Sequence, residues 1–148
     1  MTYSEMSPKT RLRMLVRGDS FRWKLTCTSP NPSPGSDAIG PRFDLTGVLI
    51  IFTMKLWRAD GGSVSTDRII IRKSSDDTDE ISVLDQLSDV TIGQCVIKGN
   101  PDDTQYLEPG VYRYDIRLHL TNGERITVIS DEIYVRGDVG SAEDNTTP

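Results

Sequence analysis

Hydrophobic and polar residues alternate with a period of two along much of the chain, and that pattern predicts strands with one buried face. From Phe21 to Thr28, Phe21, Trp23, Leu25 and Cys27 share one face, and Arg22, Lys24, Thr26 and Thr28 the other. From Val48 to Trp57, Val48, Ile50, Phe52, Met54 and Leu56 face one way, with Leu49, Ile51, Thr53, Lys55 and Trp57 opposite. The clearest alternation runs from Val111 to Leu120. There Tyr112, Tyr114, Ile116, Leu118 and Leu120 oppose Arg113, Asp115, Arg117 and His119. Further strands are predicted over Leu12 to Arg17, Ser65 to Lys73, Gln94 to Lys98 and Thr121 to Ile129, with Glu132 to Arg136 as a final edge strand. Ile81 to Val90 is ambiguous: Leu84, Leu87 and Val90 stand at helical spacing, yet a short strand also fits.

Turn signals punctuate these runs. Gly18 lies in Arg17-Gly18-Asp19-Ser20, Asp60-Gly61-Gly62 follows the long strand, and Asn100-Pro101-Asp102-Asp103 reads as another turn. Asn122-Gly123 between two alternating runs is a strong hairpin signal. Ser29 to Arg42 contains Pro30, Pro32, Pro34, Gly35, Gly40 and Pro41, so it reads as a loop. Loops that long are usually functional or mobile. The sum is about eight or nine short strands, which predicts an all-β, immunoglobulin-like antiparallel β-sandwich with Greek-key links. The expected organisation is an N-terminal arm over residues 1–11, the sandwich over 12–138, and an acidic flexible tail over 139–148.

Length and charge narrow the function classes. The chain has 148 residues, enough for one domain with one sizeable core. Net charge is −5, and cations alternate with acids along the strands, so nucleic acid is not an expected partner. The one local basic excess is Lys9, Arg11, Arg13 and Arg17. The most apolar run, Val48 to Phe52, is far short of the roughly 20 residues that span a bilayer. Met1 to Met6 has no apolar signal-peptide core, so assembly in a cytoplasm is expected, with no membrane partner. Cys27 and Cys95 then read as reduced, half-buried strand residues, although a disulfide across the sandwich is conceivable.

Candidate chemistry is sparse. His119 is the only histidine and lies on the polar face of its strand, with no serine or cysteine placed beside it by the pattern. Ser75 to Glu80 is rich in oxygen donors but lacks the glycine and the distal glutamate of a helix-loop-helix calcium site. Two cysteines and one histidine cannot make a tetrahedral zinc site. No catalytic, metal or cofactor-binding residue is therefore expected. Arg17-Gly18-Asp19 spells an adhesion tripeptide, but a glycine between two strands already has a use there. The stripe Leu49, Ile51, Trp57 is either a partner surface or a face covered by a loop or the N-terminal arm. Gly110 permits a sharp turn into the strand, after which Tyr112 points inward with its hydroxyl free to bond a backbone group upstream, as in the tyrosine corner of immunoglobulin-like sandwiches.

An ordered series of motifs carries a resemblance. It starts at Val16-Arg17-Gly18-Asp19-Ser20-Phe21, then Phe43-Asp44-Leu45-Thr46-Gly47, Gly93-Gln94-Cys95-Val96-Ile97 and Asp103-Thr104 to Leu107. Pro109-Gly110-Val111-Tyr112-Arg113-Tyr114-Asp115-Ile116 is its centre, and Thr121-Asn122-Gly123-Glu124 and Tyr134 to Val139 close it. The series resembles the N-terminal immunoglobulin-like domain of phage upper baseplate proteins, which also occurs alone in short tailed-phage virion proteins. The Pro-rich loop is longer than the family suggests, and no long C-terminal stalk follows residue 148. The resemblance implies a structural virion protein of baseplate, tail, neck or capsid surface, with no catalysis. It implies other phage structural proteins as partners, in multiple symmetric copies. The expected anchors are the arm with Arg11 and Arg13, the loop around Pro32 and Pro34, the stripe, and the acidic tail. Gly18, Gly47, Gly110, Tyr112, Tyr114, Asn122 and Gly123 are expected to be architectural. A carbohydrate- or cell-surface-binding sandwich is the alternative, and would need exposed aromatics set in a plane.

Overall fold

The computed structural model describes residues 4–5, 13–28, 42–59 and 69–137. In chain order the strands are β1 (Ser4–Glu5), β2 (Arg13–Val16), β3 (Phe21–Thr26), β4 (Leu49–Ala59), β5 (Ile69–Ser74), β6 (Ile81–Val83), β7 (Gln94–Gly99), β8 (Gly110–His119) and β9 (Arg125–Arg136). One helical turn, α1 (Pro101–Thr104), interrupts them. They form an all-β sandwich of two sheets, one ordered β1-β3-β7-β6 and the other β2-β9-β8-β4-β5.

Alternation sets the core. Phe21, Trp23 and Leu25 of β3 face Ile50, Phe52 and Met54 of β4 and Tyr112, Tyr114, Ile116 and Leu118 of β8, all buried. Trp23 is the hub: its ring lies 4.4 Å from Phe21, 5.8 Å from Phe52 and 5.9 Å from Tyr114, centroid to centroid. Burying each such ring contributes about 1.5–3 kcal/mol, and the offset contacts add about 0.5–1.5 kcal/mol per pair.

Several elements differ from the alternation reading. The two pairings made near the N-terminus, β1 with β3 and β2 with β9, are parallel. No hairpin joins either pair, so no local turn fixes their direction. The runs read as Thr121 to Ile129 and Glu132 to Arg136 are one strand, β9, bulged at Val128. The polar trio Ser130-Asp131-Glu132 hides that continuity, but its backbone stays paired with Asp115, Tyr114 and Arg113. Residues 132–136 are also not an edge, because β2 flanks them. The stretch Ile81 to Val90 becomes the short strand β6 followed by turns. Gln94 to Ile97 of β7 are buried on both faces, while Lys98 is half-buried.

The turn at Asn100 is helical. Asp103 Oδ2 accepts the Asn100 N–H at 2.8 Å and binds Lys73 Nζ at 2.7 Å. Lys73 ends the apolar run of β5 but sits on the core side, 6 % exposed, opposite Phe52. The Thr104 hydroxyl, fully buried, donates to the Asp19 carbonyl at 2.9 Å and accepts from Gly18 N–H at 3.0 Å. It pins the Arg17-Gly18-Asp19 turn against α1.

Candidate docking surface

The outer face of the β2-β9-β8-β4-β5 sheet gathers the cations. Register places Lys55, Arg58, Arg72, Arg113, Arg117, Arg125 and Arg136 on its strand positions, against Asp115 and Glu132. Along the sequence these bases look diluted by acids. The period of two sends every second residue outward, so neighbouring strands stack their outward residues into one basic patch. The charge argument against polyanions is therefore weaker on this face than the linear sequence implies.

The aromatic feature of the face comes from a bulge. Between β4 and β8, Leu56 pairs with Tyr112 and Arg58 with Val111, so Trp57 is the extra residue. A bulge sets two residues of one strand against one of its partner and re-aims side chains. Trp57 is 40 % exposed, and the Arg113 guanidinium lies 3.4 Å from its ring centroid. Arg113 also approaches Glu132 at 3.6 Å. A row across the strands results: Met14 opposite Tyr134, Tyr134 opposite Val111, and Trp57 beside Arg58 at the end. Met14 is 58 % exposed.

The stripe Leu49, Ile51, Trp57 is divided between the two alternatives, with Ile51 covered and Trp57 exposed. Ile51 is buried at 9 % exposure and Leu49 is half-buried, so neither offers Trp57 a continuous apolar neighbour. Outward residues of one strand lie about 7 Å apart along it, whereas neighbouring strands are about 4.8 Å apart, so contiguity runs across strands. Arg11, Pro32 and Pro34 lie outside the described residues, as do most of residues 1–11 and all of 139–148. Arg13 opens β2, paired with Ile133.

The architectural residues are found where they are needed. Gly18, Gly47, Gly110 and Gly123 all have positive φ. Among the described residues no other residue type does, so Asn122 does not adopt the conformation of a two-residue type I′ turn. The hairpin instead closes by Leu120 N–H to Glu124 carbonyl at 2.8 Å, with Gly123 at φ +91° and Asn122 Oδ1 accepting the Glu124 N–H. Tyr112 donates its hydroxyl to the Glu108 carbonyl at 2.7 Å, and burial pushes its pKa up to about 12. Tyr114 lies in the aromatic core against Trp23 and Phe52.

Three fixtures escape sequence reading. Gln86 Oε1 accepts N–H groups from both Leu45 (2.8 Å) and Gly93 (3.0 Å), tying two loops together. Gly93 has φ +79°, and a Cβ there would meet the Cys27 carbonyl at 2.7 Å. A Cβ on Gly99 would fall 1.9 Å from the Phe21 ring. Only the motif Gly93-Gln94-Cys95-Val96-Ile97 singled out the second of these fixtures.

Cys27, one residue past β3, and Cys95 of the adjacent β7 are free and buried on the same sheet and not across the sandwich. Burial raises the Cys27 thiol to about 11 and pushes Cys95 up as well, so neither is a ready nucleophile. Register puts His119 between Leu49 and Arg125. In the acidic loop, Asp77 Oδ1 accepts the Asp79 N–H and Glu80 Oε1 the Ser74 N–H. Among the described residues no three His, Cys, Asp or Glu side chains gather to hold a metal, and no helix is long and apolar enough to cross a membrane.

Comparison with protein-family models and with curated proteins finds no match for this chain.

Proposed function

We propose that this chain is a non-catalytic docking module, an immunoglobulin-like structural component of a tailed-phage virion. The observation that carries the docking reading is the outer sheet face. It joins an apolar row, exposed at Met14 and Trp57, to a basic patch in an otherwise acidic chain, the composition of a partner surface. The strand orders β1-β3-β7-β6 and β2-β9-β8-β4-β5, two sheets packed face to face, support the immunoglobulin-like reading. The Tyr112 to Glu108 bond, four residues upstream at the start of β8, supports the same reading. The short parallel β1 pairing departs from it. The phage assignment rests on the ordered motif series from Val16 to Val139 alone.

The non-catalytic part is supported by the surroundings of the groups that could do chemistry. Neither Leu49 nor Arg125 can accept or orient a proton for His119, and both thiols are held protonated by burial. A carbohydrate module is less well supported, because Arg113 covers one face of Trp57 and Trp23 is in the core.

Incorporation into particles tests the reading. Tailed particles assembled with the intact chain should retain it through purification, and a chain lacking Met1 to Thr10 should be lost from them. Particles of normal composition and infectivity made without the chain would refute a structural role.

A further inference from the structure

We propose that the basic outer face of the five-stranded sheet receives the acidic edge of a second copy of this chain, in a head-to-tail contact. The inference rests on the docking reading and names its partner.

The donor surface is the β6 edge with its flanking loops. Residues 75–90 carry Asp76, Asp77, Asp79, Glu80, Asp85 and Asp89 and no lysine or arginine. Between Asp85 and Asp89, Leu87 stands 95 % exposed, and Val90 beside them is also exposed. Among the described residues, no side chain of the same copy covers that leucine. The loop holding it out is firm: Gln86 anchors to Leu45 and Gly93, and Arg42 donates to the Val90 carbonyl. An apolar knob flanked by Asp85 and Asp89 calls for an apolar site flanked by cations.

The receiving face has that character. Met14 and Trp57 are its exposed apolar ends, and Arg58 and Arg113 stand at Trp57. Single exposed ion pairs contribute only about 0–1 kcal/mol each. Several such pairs around a desolvated leucine contribute more, and they suppress wrong partners. Because the two surfaces differ, the contact is heterologous. It generates a ring if the rotation closes and a filament if it does not. A nucleic acid fits less well: Arg113 already occupies a face of Trp57 that a base would stack on, and the acidic edge repels a polyanion.

Sedimentation velocity of the full chain tests this at roughly 0.02 M and roughly 0.5 M salt, on either side of the range where screening removes exposed-charge attraction. Concentration-dependent association is expected at low salt and its loss at high salt. Arg58→Glu with Arg113→Glu should weaken association at least ~10-fold, and so should Asp85→Lys with Asp89→Lys. Circular dichroism should show both variants folded. Mixing them should restore a complex, since the intact edge of one meets the intact face of the other. A chain that stays monomeric at low salt overturns the inference, even if particles still incorporate it and the docking reading stands. Association indifferent to both variants overturns it too. So does duplex DNA binding that the Arg58→Glu, Arg113→Glu variant abolishes in a chain that does not self-associate.

Discussion

Tyr112 shows what one residue contributes when burial and a hydrogen bond act together. Its ring fills the core and its hydroxyl satisfies the Glu108 carbonyl. Tyr112→Phe should cost about 1–3 kcal/mol, because the carbonyl loses its partner while the packing survives. Urea denaturation reads this as a lower midpoint with an unchanged slope. The same residue gives the fold an alkaline limit. Cys27 rises from 9.0 to about 11 and Tyr112 from 10.0 to about 12, so both hold their protons more tightly folded than unfolded. Stability from this source is complete below pH 9 and is lost as pH climbs from 9 to about 12. Tyr112→Phe should flatten the upper part of that fall. Tyr112 was legible in the sequence, since Gly110 and the alternation after it announce the corner. Gly93 and Gly99 were not, because a sequence does not say which carbonyl or ring will pass within reach of a missing Cβ.

At the scale of elements, side chains that cross between loops and strands hold the sandwich shut. Lys73 and Asp103 join β5 to α1, and their environments are unequal: the lysine side chain is 7 % exposed, the aspartate 25 %. Asp103→Ala strands a buried ammonium and also unties Asn100 N–H. Lys73→Met leaves a carboxylate that reaches water and keeps its cap. Asp103→Ala should therefore be the more destabilising by about 1–3 kcal/mol, measured as the difference in unfolding free energy of the two variants. The strands themselves were largely legible. Phe21 to Thr28, Val48 to Trp57 and Val111 to Leu120 lie where alternation put them, because one buried face imposes its period on the sequence. Lys73 was not legible as an inward residue, since its partner lies 30 residues away. The union of the last two runs into β9 was hidden by Asp131, a polar residue opposite Tyr114.

The whole molecule separates its charges. Seven strand cations share the outer face of the five-stranded sheet, with Arg22, Lys24 and Lys98 in the other sheet, while carboxylates crowd the loops at the β6 edge. A linear reading sees alternating signs and infers a neutral mixture. Only strand order reveals that outward residues from five strands share a face. The candidate site was half legible for the same reason. Trp57 was singled out, but its neighbours are Arg58, Val111 and Arg113 across the bulge, not Leu49 and Ile51 along the strand.

Oxidative footprinting of the two tryptophans tests the docking account most directly. Trp57 is exposed on the basic face and Trp23 is buried at the centre of the core, so each reports on its own surroundings. Comparing dilute chain with associated chain at low salt, the account predicts that oxidation of Trp57, with that of Met14, falls several-fold on association while Trp23 stays protected throughout. Undiminished oxidation of Trp57 in the associated state would contradict it.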